Sequence, residues 1–148
     1  MKKLILILLV FMPIEVVAPR TITKYDPTFF YISELQHSEL TLKNVEKYIK
    51  LVKIKCPKIV FKQFILETGW GKSNICKTCN NLFGFRNKKG YIKYKHWTES
   101  ISSTDPNITG YKQFQDKKYR EGYYYTFLEK IKYSESCNYV RILKLIKT

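Results

Sequence analysis

Histidine, cysteine and acidic residues are all scarce in this chain, and each shortage removes a class of chemistry. There are two histidines and four cysteines in 148 residues. His37 and His96 do not stand at ligand spacing. Cys76-Lys-Thr-Cys79 is a CxxC, which alone could be a redox pair or half a zinc site. A zinc site needs a second close pair, and Cys56 and Cys137 are far apart in sequence. A thioredoxin-like site needs a strand before the pair and a helix after it, and the pattern offers neither. No metal and no cofactor are therefore expected. The cysteines read instead as small hydrophobes or as one local disulfide. Repeats and low-complexity segments are also lacking, and the length leaves no room for a second domain.

The shortage of acids leaves a large positive excess. Lys and Arg total 27 against 12 Asp and Glu, a net charge of +15. Such a surface attracts polyanions, whether nucleic acid, anionic lipid or acidic wall polymers; a merely solvated Lys-rich surface is the plainer reading. A nucleic-acid binder needs clustered basic residues interleaved with aromatics. Lys88, Lys89, Lys93 and Lys95 with Tyr91 and Tyr94 form only a faint version of that pattern, so no nucleic-acid partner is expected.

Long apolar runs are confined to the N-terminus. Lys2 and Lys3 precede Leu4 to Met12, a positive region followed by an apolar region of secretory length, too short to span a bilayer comfortably. Residues 1–24 are expected to be a signal peptide or an uncleaved signal anchor. Val16-Val17-Ala18 offers a small-residue cleavage site, which Pro19 makes unfavourable. The chain is expected to be exported to the periplasm, the cell surface or the medium. Contact with a membrane is expected only through this segment, if it is retained. Residues 25–148 then form one domain.

Within that domain, Leu42, Val45, Ile49 and Val52 repeat at helical spacing, which predicts a helix over about 41–55 with Thr41 as its N-cap. Pro57 suits the first turn of a second helix, whose stripe Phe61, Phe64 and Ile65 runs toward Glu67 before Gly69 and Gly71 end it. Lys88-Lys89-Gly90 is a turn between Leu82–Phe85 and Tyr91–Tyr94, a small β-hairpin. A helix starts at Trp97, a loop covers Thr104 to Gly110, and two more helices carry Tyr124, Phe127, Leu128 and Ile131, then Tyr139, Ile142, Leu143 and Ile146. The expected fold class is α+β, mainly helical, with one small hairpin.

Glu67 lies seven residues after Val60 and three after Phe64, at the edge of the apolar face. Lost solvation there favours the protonated carboxyl, which a general acid for glycosidic oxygen requires. The same position also suits a solvated glutamate, a cap or an ion-pair partner.

The surrounding residues carry more. Leu66-Glu67-Thr68-Gly69-Trp70-Gly71-Lys72-Ser73 is followed by Asn80-Asn81-Leu82-Phe83-Gly84-Phe85-Arg86. Downstream come Trp97-Thr98-Glu99-Ser100-Ile101, Tyr111-Lys112-Gln113-Phe114-Gln115 and Tyr133-Ser134-Glu135-Ser136-Cys137-Asn138-Tyr139. Together these words closely resemble the glucosaminidase family of peptidoglycan hydrolases, the mannosyl-glycoprotein endo-beta-N-acetylglucosaminidase-like domain, over about residues 41–147. The resemblance implies a lysozyme-like fold and hydrolysis of the β-1,4 bond between N-acetylglucosamine and N-acetylmuramic acid in peptidoglycan glycan strands. It carries Glu67 over as the general acid and Tyr133 as a tyrosine lining the reacting sugar's subsite. Asn80 and Asn81 would hold the cleft or a sugar amide, and Trp70 and Phe83 would pack its wall, unless these two are core residues.

The chain departs from the family pattern in three places. The hairpin from Arg86 to His96 lacks the second glutamate that relatives often carry, leaving Glu99 as the nearest candidate, or a helix cap, and Asp105 as a weaker one. Thr104 to Gly110 is similar to an insertion. Ser136 and Cys137 stand where the family has Asp-Pro. With one glutamate, a lytic transglycosylase or a non-catalytic wall-binding domain with the same cleft are the alternatives.

Overall fold

Residues 27–148 are described by a computed structural model, so the expected export segment at 1–24 lies outside the described residues. In chain order the elements are α1 (Pro27–Leu35), α2 (Leu42–Leu51), α3 (Pro57–Thr68), α4 (Asn74–Cys79), β1 (Arg86–Asn87), β2 (Gly90–Tyr91), α5 (Trp97–Ile101), α6 (Tyr111–Lys118), α7 (Tyr124–Lys130) and α8 (Tyr139–Leu145). The fold is mainly helical with one antiparallel hairpin, in which Arg86 pairs with Tyr91 and Asn87 with Gly90.

Helix α3 is the centre of the fold. Pro57 opens it, where a missing N–H costs nothing. Val60, Phe61, Phe64 and Ile65 are buried along it, and α2 and α8 pack against it. Burying each such side chain stabilises the fold by about 1.5–3 kcal/mol. The helix stops at Gly69, which adopts the left-handed φ of 54° and returns its N–H to Ile65 O. Thr68 locks this end: its hydroxyl donates to Phe64 O (2.6 Å) and accepts from Gly71 N (2.7 Å). A glutamate on the last turn of α3 is therefore held on a fixed stalk.

Helix α2 forms as its spacing predicts, burying Val45, Tyr48 and Ile49, with Thr41 Oγ1 accepting from Asn44 N at 3.1 Å. It ends at Leu51 rather than near 55, because Lys53 and Cys56 take left-handed backbone conformations that turn the chain into α3. The hairpin is also shorter than its flanking residues suggest. Leu82 and Phe83 are buried side chains of a loop, not strand residues. The spacing of apolar residues does not predict helices α1, α4 and α6. The CxxC lies on α4, where Cys76 is fully buried and burial pushes its thiol up to about 11. A buried thiol of that kind is a core residue and a poor nucleophile.

Candidate active site

Glu67 projects from the last turn of α3 into a cavity of about 450 Å³. Phe83, Phe85, Phe114 and Tyr133 supply its aromatic wall, and Lys118 and Lys132 its basic rim. Glu67 is the single carboxylate among the lining residues. The sequence-named residues Glu67, Phe83 and Tyr133, from three separate segments, are thus brought to one place.

The carboxyl is half-buried, and its Oε1 accepts a hydrogen bond from Tyr139 Oη at 2.8 Å. Burial raises its pKa above the ordinary value, and the Tyr139 hydrogen bond works in the opposite sense by favouring the anion. Gly84 lets the loop pass beside the other oxygen. Its φ of 67° is left-handed, and a Cβ there would lie 3.9 Å from Glu67 Oε2. Tyr133 is half-buried with its hydroxyl turned inward toward Phe83 O at 3.4 Å, and burial holds that phenol well above its usual pKa.

The two asparagines build the cleft from behind. Asn81 is buried; its Nδ2 donates to Phe85 O (2.8 Å) and Ile92 O (3.0 Å), and its Oδ1 accepts from Phe85 N (3.0 Å). Asn80, at a left-handed φ of 51°, donates through Nδ2 to Tyr94 O (3.1 Å) and Lys95 O (3.2 Å). The Nδ2 groups of both donate to the backbone around the hairpin. Trp70 does not line the cavity. It sits in the turn after α3 at φ 62° and is 51% exposed.

Glu99 lies outside the cavity as well. It occupies the first turn of α5, where its Oε2 accepts from Lys95 N, one residue before the N-cap His96, at 2.9 Å. Asp105 accepts from Asn107 N at 2.8 Å within its own loop. Neither stands across from Glu67. Two depressions adjoin the cavity. One shares Phe85, Phe114 and Lys118 with it and adds Arg86 and Lys117; the other shares Lys132 and Ser134 and contains Glu129 and Glu135. The groove is thus longer than the central cavity.

Tyr139 is the residue that spacing concealed. It reads as one member of the apolar stripe of α8, and Gln63 as a polar position inside α3; the structure makes Tyr139 the partner of Glu67, and Gln63 Nε2 donates to Tyr139 Oη at 3.3 Å. The asparagine-tyrosine pair that closes the last motif was the available signal.

Residues 42–148 match the glucosaminidase family, described as mannosyl-glycoprotein endo-beta-N-acetylglucosaminidase. The chain belongs to the glucosaminidase family. No curated protein and no solved structure matches it. Membership makes this glucosaminidase a glycosidase acting on a glycan, and its mainly helical fold, with one hairpin among the described residues, is the lysozyme-like one expected.

Proposed function

We propose that this glucosaminidase cleaves peptidoglycan glycan strands at the β-1,4 bond between N-acetylglucosamine and N-acetylmuramic acid, with Glu67 as general acid. The observation that carries this reading is the half-buried carboxyl of Glu67, alone among carboxylates in an aromatic-walled cavity and biased by burial toward its protonated form. In that form it donates a proton to the glycosidic oxygen as the bond to the anomeric carbon breaks. No second carboxylate among the described residues lines the cavity, so the 2-acetamido oxygen of the N-acetylglucosamine unit takes up the positive charge by closing on the anomeric carbon. Water then opens that ring, giving its proton to the Glu67 carboxylate and restoring the acid.

The charge at the cavity and on its hairpin side supports an anionic glycan. Lys118 and Lys132 rim the cavity, Arg86 and Lys117 extend the basic lining on one side, and Arg86 stacks 4.3 Å over the Tyr91 ring. The two ion pairs among the described residues, Lys50–Glu46 and Lys112–Asp116, involve none of these groups. Muramic acid and its stem peptides carry carboxylates that such cations attract. The apolar run after Lys2 and Lys3 supports export to the compartment where that polymer lies.

Digestion of purified peptidoglycan, borohydride reduction and mass analysis test the proposal. New chain ends should carry reduced N-acetylglucosamine. Reduced muramic acid ends would move the cleavage to the other bond, anhydro-muramic ends would make the protein a transglycosylase, and no soluble product from the folded protein would leave only wall binding.

A further inference from the structure

The Tyr139 hydroxyl that touches Glu67 is the last member of a line of buried polar side chains. At the far end, Gln115 forms a two-point pair with the backbone of Lys55. Lys55 N donates to Gln115 Oε1 at 2.7 Å, and Gln115 Nε2 donates to Lys55 O at 2.7 Å. A backbone N–H can only donate and a carbonyl can only accept, so this pair fixes which way the amide of Gln115 points. Its remaining N–H must donate to Tyr124 Oη, at 3.0 Å.

Each later link is then determined. Tyr124 Oη meets two polar groups; Gln115 Nε2 can only donate, so the single Tyr124 proton goes to Tyr111 Oη at 2.7 Å. By the same rule Tyr111 donates to Gln63 Oε1 at 2.5 Å. With its oxygen occupied, Gln63 presents Nε2 to Tyr139 Oη at 3.3 Å. Tyr139 has received its bond and gives its proton to Glu67 Oε1 at 2.8 Å. No buried side-chain polar atom lacks a partner among the described residues.

We propose that this relay sets the direction of the last hydrogen bond, making Gln63, Tyr111, Tyr124 and Gln115 positioning residues that hold Tyr139 as a donor to the carboxyl of Glu67. The catalytic part of the inference rests on Glu67 being the general acid. Aligned hydrogen bonds in a dry interior polarise one another, so a donor held at the end of such a line favours the anion more than a lone phenol does. The relay therefore opposes burial, and keeps the acid able to release its proton and to exist as the carboxylate that later receives one from water.

Other groups face Glu67: Tyr133 from the loop before α8, Tyr91 from β2, Lys118 from α6 and Lys132 after α7. They are unchanged in variants of the relay, so a difference between wild type and variant isolates the relay itself. Tyr111→Phe removes the proton that orients Gln63. Its amide is then free to turn its oxygen to Tyr139, which diverts the Tyr139 proton from Glu67.

The test is the carboxyl ¹³C titration of Glu67 in the full chain, assigned by its loss in Glu67→Gln, beside the pH profile of kcat. In Tyr111→Phe the Glu67 midpoint should move to higher pH. The alkaline limb of kcat should move the same way, because an acid is lost as pH rises through its midpoint. Tyr124→Phe should shift both by less, since Tyr111 can still donate to Gln63; it also serves if Tyr111→Phe does not fold. Val45→Ala, a core truncation on α2 outside the relay, should lower melting and leave the midpoint in place. An unmoved midpoint in the folded relay variants would overturn the proposal. A midpoint that moves while the kcat limb stays would keep the relay and remove Glu67 as the acid.

Discussion

Replacing Glu67 by Gln separates the chemical role of this carboxyl from its cost to the fold. The amide is nearly isosteric and can still accept from Tyr139, so packing at the end of α3 is preserved. It cannot act as an acid. General acid catalysis contributes about 10² to 10⁴-fold, so turnover should fall by that factor, equivalent to about 2.7–5.4 kcal/mol of barrier at 1.36 kcal/mol per tenfold. Stability should move the other way. The folded midpoint of Glu67 is raised above 4.5, chiefly by burial, so the folded chain holds this proton more tightly than the unfolded chain. Its stabilising contribution is complete below the ordinary carboxylate value and is lost as pH rises through the folded midpoint. Gln has no such dependence. The variant should therefore gain on wild type in melting temperature between acid and neutral pH, while losing wall cleavage. Turbidity clearance of purified walls and thermal melts at several pH values measure both. Near-normal turnover by the folded variant would remove Glu67 from the chemistry, and a melting difference that does not change with pH would refute the burial of its charge.

Glu99→Gln should cost far less activity than Glu67→Gln, because Glu99 lies in the first turn of α5 and does not line the cavity; loss of its charge from the first turn is worth about 0.3–1 kcal/mol, which a melting curve should register as a small decrease. Tyr133→Phe should weaken turnover more than it lowers melting, since the residue lines the cavity and its hydroxyl makes only a 3.4 Å contact with Phe83 O; equal rates would return Tyr133 to a packing role. Asn81→Ala strips three hydrogen bonds from the backbone around the hairpin, and leaving such buried groups unpaired costs about 1–3 kcal/mol; melting should fall and KM for wall fragments should rise, and an unchanged KM would show that the hairpin does not shape the groove.

Where residues act through local chemistry, the sequence was legible. Thr41 as N-cap, Pro57 in a first turn, Gly69 at a helix end and Lys88-Lys89-Gly90 as a hairpin turn all follow from preferences that operate within a few residues, and all four are where the pattern put them. The missed helices lack that kind of signal. In α6 the residues buried are Tyr111 and Gln115, and a glutamine does not register as apolar when spacing is read. Helix α4 spans six residues and buries only Cys76, too little to set a period. Tertiary contacts, not propensity, make these segments helical.

The site divides along the same line. Glu67 could be singled out because its position relative to Phe64 and Val60 is a property of one helix. Its partner could not. Tyr139 lies 72 positions away, and Gln63, Tyr111 and Tyr124 are tied by hydrogen bonds that span 76, 48 and 13 positions. Each of those tyrosines has the burial expected of an aromatic core residue, and periodicity records only the ring. The hydroxyl is the informative atom. Burial removes it from water, so it must find a partner or destabilise the fold. Tyr94 and Tyr119 give theirs to backbone carbonyls, whereas Tyr124, Tyr111 and Tyr139 lie along one path, and that path ends at the carboxyl of Glu67. A Phe at position 111 would satisfy the apolar pattern of α6 equally well, so the pattern alone has no means of distinguishing a filled core from one that also orients the residue facing the cleft.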